Sequence, residues 1–354
     1  MLAAVSSFGQ PIAGLVIDRL GPHRLAILSA IATSATLASV PMLPTFGLLV
    51  AVAAVGGAAA AVYHPAAAAL VRSNAGSTSS ASALGLFAAG GTLGLAAGPT
   101  LATTLATHSA VLTSVVLALP GLTMAVVTAA TVEVDPASDV RNSHRAPRSA
   151  PRARVQLPML VATMAAIYVG SITVTTAVPL WLADHGAAAA IGPTLGVFSL
   201  AAAGGGMLGA RIASTRHPSA TAHAMLATPA SVLALPHLVP GSLGWYAVVA
   251  TGGALAHLVV PVALDAAQRR LHGAVAAASG LVMGLPIGVA SVVYLTASLA
   301  IETITIGHVA TIAAGSTAIA AVLAHLAFAP ERTPRPTRTP ACTCTGGALA
   351  IATC

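Results

Sequence analysis

Two histidines lie inside long apolar stretches of this chain: His64, between Tyr63 and Pro65, and His257, four residues ahead of Pro261. An imidazole exchanges a proton near neutral pH, so a histidine held away from bulk water can load and release one. The rival reading is a neutral ring hydrogen-bonded between helices, and the residues alone leave both open. A third apolar stretch carries Tyr168, Ser171, Thr173, Thr175 and Thr176. Helical spacing puts Tyr168, Thr175 and, roughly, Ser171 on one face. Hydroxyls there either line a cavity for a polar ligand or bond back to carbonyls of their own helix. No Asp or Glu stands at the centre of any apolar stretch, where a carboxylate would be costly and kept only for a purpose. No acid, base, nucleophile or metal-ligand set converges anywhere, and there is no phosphate loop or dinucleotide fingerprint. The expectation is therefore not an enzyme, with no metal and no cofactor.

The elements that must position these groups are membrane helices. The chain has 354 residues, 56% of them hydrophobic and 6% charged, with mean hydropathy +0.90. A soluble domain carries about 25% charged residues, so a soluble fold is excluded. Eleven apolar segments succeed one another, at 1–17, 25–43, 47–70, 82–107, 109–131, 157–183, 190–210, 219–239, 243–264, 273–299 and 305–329. The first is barely long enough for a bilayer, which takes about 20 residues. Cys342, Cys344 and Cys354 all fall in the last thirteen residues, which leaves no disulfide framework for the core.

The stretch GLVIDRLGPHR, Gly14 to Arg24, joins the first two segments. Gly14 lets two helix ends come close. Asp18 is placed to accept from free backbone amides at the start of the next helix, and Gly21 makes the turn. Arg19 and Arg24 set positive charge beside the membrane. All 15 basic residues are arginine, and every one falls in alternate loops, the 132–156 segment or the tail; the opposite loops hold none. That asymmetry puts the arginine side in the cytoplasm. It also starts Met1 on the outer side, which implies that one span before the first is missing. Trp181 and Trp245 fall at outer ends, where indole rings suit the interface.

The Arg- and Pro-rich segment 132–156 reads as a cytoplasmic linker between a transmembrane half at 1–131 and a second at 157–329. Its arginines suit anionic lipid better than nucleic acid. Residues 330–354 read as a disordered cytoplasmic tail. A faint repeat relates the halves: Tyr63-His64-Pro65 through Gly85 to Gly90 echoes His257 and Pro261 through Gly280 to Gly284. In LGLFAAGGTLGLAAGPT, Gly90, Gly94 and Gly98 recur every fourth residue, which lets a neighbouring helix pack closely, and Pro99 bends the helix after them.

The opening loop resembles that between spans 2 and 3 of major facilitator superfamily transporters, although its second copy has Ser214 where the carboxylate would stand. Gly94, Gly98 and Pro99 resemble the antiporter motif of drug–proton exporters. With YHPAAAALVRS and ASGLVMGLPIG, the chain is similar to the fosmidomycin-resistance-like branch. The resemblance implies an all-α integral membrane protein of major facilitator fold, with two six-helix-type halves and here about eleven spans. It implies proton-coupled efflux of a small drug-like molecule or metabolite, in the plasma (inner) membrane and as a monomer. An importer of sugar or another metabolite, or an inactive truncated chain, are the alternatives.

Overall fold

The computed structural model describes residues 2–76, 79–105, 108–132, 151–298 and 305–329. Five helices form the first half: α1 (Leu2–Leu20), α2 (Pro22–Ser39), α3 (Phe46–Ser73), α4 (Ser80–Leu105) and α5 (Ala110–Thr131). The second half begins with α6 (Pro151–Asp184) and α7 (Ile191–Thr215), then α8 (Ser219–Met225) and α9 (Thr228–Leu233). It continues with α10 (Leu243–His257), α11 (Val260–Arg270) and α12 (Val275–Ser279). A π-helical turn over Gly280–Gly284 leads to α13 (Leu285–Ser298), and α14 (Ile306–Ala327) closes the chain. All eleven expected segments are helical, and among the described residues nine are long and apolar enough to cross a membrane.

The starts and stops obey local chemistry. Gly21, with φ of +89°, turns the chain between α1 and α2, and Pro22 opens α2, where its missing N–H costs nothing. Thr45, Ser109, Ser242 and Thr305 cap α3, α5, α10 and α14 by accepting from an amide of the first turn. The segment expected at 219–239 is not one rod. Pro229 and Pro236 remove backbone donors, and the run breaks into α8, α9 and a 3₁₀ turn at Leu235–His237.

The two halves repeat one plan. In the first, α3 lies between α1 and α2, and α2 packs on α5; in the second, α10 lies between α7 and α9, and α9 packs on α14. The second half contains one more helix. α6 fills the place between α13 and α14, and no helix of the first half occupies the matching place between α4 and α5 among the described residues. Accordingly α14 buries ten residues and α5 only Ala125.

Trp245 departs from expectation. It is fully buried, stacked on Trp181 with ring centroids 6.1 Å apart, and its Nε1 donates to Thr194 Oγ1 at 3.0 Å. A partner for the indole N–H inside the half makes it a core residue rather than an interface anchor. Of the 132–156 linker, only Val132 and the residues from Pro151, where α6 begins, are described, and the 330–354 tail with its cysteines lies outside the described residues.

Candidate functional site

The halves meet along two helix pairs, α1 with α12–α13 and α4 with α7, and both seams run through small residues. Gly14 faces the backbone of Ala276 and Ala277 so closely that an added Cβ would stand 2.5 Å from the Ala277 Cα. Gly280 abuts the Gln10 backbone, and an added Cβ at Gly284 would lie 2.6 Å from the Ser7 carbonyl oxygen. In the second seam, an added Cβ at Gly85 would stand 3.1 Å from Ala210 Cβ. Backbones approach this closely only where side chains are absent.

Polar contacts fasten the same seam at its arginine-bearing end. Asp18, beyond the apolar run that ends at Ile17, accepts from the amides of Ala276 at 2.8 Å and Ala277 at 2.9 Å. The carboxylate does accept from a helix start, but that of α12 in the other half. The start of α2 needs no such acceptor, because Pro22 occupies it. Burial pushes the Asp18 carboxyl above the usual carboxylate range, and the two amide bonds offset part of that rise. Arg19 and Arg24 are exposed beside it.

A second fastening was not anticipated. Arg72 Nη1, at the end of α3, donates to Asp265 Oδ1 of α11 at 2.9 Å and reaches Gln268 Oε1 at 3.4 Å. Gln268 Nε2 donates to the Ala68 carbonyl at 3.3 Å and to Ser279 Oγ at 2.8 Å. Arg269, one turn along α11, holds the other carboxylate oxygen through Nε at 2.7 Å and through Nη2. The signal was present in the order Asp265, Gln268, Arg269, which places all three on one helix face.

The other sequence candidates are spread over separate surroundings. His64 is half-buried, edge-on to Tyr63 at 5.8 Å. His257 is buried at the end of α10; its ring meets Phe198 edge-on at 5.8 Å, and Nδ1 pairs with the Gly253 carbonyl at 2.9 Å. Tyr168 packs against the large core cluster of the second half. Thr175 and Thr173 donate back to the Ser171 and Val169 carbonyls of their own helix, at 2.9 and 2.7 Å. Ser171 differs: its hydroxyl and that of Thr228 are buried without a partner and line one cavity with Phe198, Val249 and Thr317. The cavity measures about 30 Å³, room for about two waters. The repeated glycines do not pack as expected. An added Cβ at Gly90, Gly94 or Gly98 would meet nothing within 4 Å among the described residues. The Pro99 side chain lies outside the described residues. No group of three or more metal-ligating side chains occurs among the described residues.

Comparison with known proteins agrees with this architecture. The chain is similar in structure to the transporter FucP in its outward conformation, with TM-score 0.68 and 16% identity, covering 92% of this chain and 88% of that one. It is also similar to the human organic anion transporter MFSD10, with TM-score 0.65 and 14% identity over 91% and 82% of the two chains. A variant of the E. coli fucose:proton symporter FucP gives TM-score 0.64 and 15% identity over 92% and 89%. No curated protein matches in sequence. The sequence profile described as Major Facilitator Superfamily matches residues 1–291. A family match over most of the chain, on an all-α membrane architecture of two repeated halves, decides the class as transporter rather than enzyme, and this chain belongs to the Major Facilitator Superfamily.

Proposed function

We propose that this chain is a secondary active transporter that expels a small drug-like molecule or metabolite, organic anions foremost, from the cytoplasm in exchange for protons. The observation that carries the reading is the seam: two repeated halves joined through small residues and fastened by polar contacts at the arginine-bearing end. Small-residue seams let packed helices part and re-form without side chains interlocking. Arginine asymmetry assigns that end to the cytoplasm, so the conformation is closed inward, and rocking about the seam exposes each side in turn. Proton coupling draws on the likeness to a fucose:proton symporter, and the anion on the likeness to an organic anion transporter. His64 and His257 are the coupling candidates, since no carboxylate sits mid-span. Ser171 and Tyr168 are the candidates for substrate contact, with Thr175 setting the local helix surface. Protein reconstituted in vesicles as a monomer, with an imposed pH gradient, tests the reading. Accumulation of a fluorescent organic anion on the acidic side, abolished by a protonophore, is the expected result. Accumulation on the alkaline side makes the chain an importer.

The place between α4 and α5, unfilled among the described residues, favours a second element of this reading. α6 occupies its counterpart in the second half, and Gly90, Gly94 and Gly98 of α4 have no neighbour within 4 Å of an added Cβ among the described residues. An apolar membrane-spanning helix belongs there in the working transporter.

A further inference from the structure

Asp265 is shared by two arginines that belong to opposite halves. Oδ1 receives Arg72 from α3 across the seam, and Oδ2 receives Arg269 from its own helix. The carboxylate is nearly buried, its side chain 5% exposed, whereas the Arg269 side chain is 61% exposed and Arg72 21%. We infer that the two arginines act in opposite directions: Arg72 fastens the halves, and Arg269 makes the fastening releasable.

A buried carboxylate that loses its only cation is left uncompensated, and this is the strongly unfavourable way to break a buried pair. Arg269 travels with α11, so Asp265 keeps a counter-ion when Arg72 leaves. Arg269 also draws on the same negative charge and weakens its hold on Arg72, and the two guanidinium groups repel across one carboxylate. Removing Arg269 therefore leaves Arg72 with the undivided charge and makes parting leave a bare anion. Removing Arg72 leaves a neutral pair within α11 and a weaker seam. Gln268 reinforces the fastened state through Ala68, but it is uncharged and leaves no ion behind.

This inference rests on the reading that the halves part at this end. It is tested on the full chain in vesicles, with Cys342, Cys344 and Cys354 replaced by serine and Ala66→Cys as reporter. Ala66 is fully buried against Ala276 of the other half. Alkylation by a membrane-impermeant maleimide applied to the arginine-bearing side reads how often the seam opens. Arg72→Gln is expected to speed alkylation and Arg269→Gln to slow it, each by about tenfold. Arg269→Lys restores the native rate, and in an Asp265→Asn background Arg269→Gln has no effect. Faster alkylation for Arg269→Gln, or no change for either arginine, overturns the inference. Substrate flux on the same proteins keeps the two readings apart: absent flux with the labelling order intact removes the transport reading and leaves the paired action of the arginines standing.

Discussion

Asp18 and Ala276 are 258 positions apart in sequence, yet the carboxylate of one accepts from the amide of the other at 2.8 Å. The bond joins the end of α1 to the start of α12 and so ties one half to the other. Asp18→Asn keeps the shape and one acceptor oxygen but loses the charge, and charge-assisted bonds contribute about 1.5–3 kcal/mol. The proposed export is expected to be abolished while the amount of protein in the membrane stays native, read by vesicle flux beside immunoblot of the membrane fraction. Undiminished export sinks the assignment.

Gly14 and Gly94 should respond to alanine in opposite ways. At Gly14 the new methyl meets backbone of Ala276 and Ala277, which has no rotamer to yield. Gly14→Ala should cost about 1–3 kcal/mol and lower the melting temperature in detergent. Gly94→Ala meets nothing among the described residues, and because alanine favours the helix interior it should raise stability by about 0.5–1 kcal/mol.

His257→Gln separates coupling from packing. Glutamine retains a donor for the Gly253 carbonyl, so the fold is expected to persist. If the imidazole carries the coupled proton, flux loses its dependence on the pH gradient while counterflow exchange of substrate continues. A variant still driven by the gradient returns His257 to a purely structural place.

The place between α4 and α5 can be read by fluorescence. Gly94→Trp puts an indole on the open face of α4. In an active preparation the indole should be shielded from brominated lipid by the helix proposed to sit there. Strong quenching in a protein that transports removes that helix from the account.

Much of this was legible because membrane helices announce themselves. Apolar runs of span length located the helical segments without any long-range information, although 219–239 is divided into short pieces. The relation of Asp18 to α12 was not legible, since a free helix start looks the same wherever it lies, and the nearer start at Pro22 was the natural partner. Asp265 was overlooked because its neighbours Arg269 and Arg270 made the segment look like an ordinary positive loop. Trp245 misled for a related reason: position along a span does not reveal which way a ring points, and Thr194 supplied the inward partner. The hydroxyls of α6 divide only in the folded chain, Thr173 and Thr175 bonding to their own helix while Ser171 stays unpartnered.

The second half is jointed where the first is not. α3 runs unbroken for 28 residues through Pro65, whereas its counterpart divides into α10 and α11 at Leu258–Val259. The helix facing α1 is likewise interrupted by the π turn at Gly280–Gly284, a feature that loosens the regular ladder. Stiffness is thus unequal across the molecule. A load applied at the seam should deflect the second half at these two joints before it bends the first, with the first half as lever arm and the second as its compliant bearing. Shape changes during a transport cycle should concentrate around His257 and Gly280, on one side of a molecule whose two halves share a plan but not a rigidity.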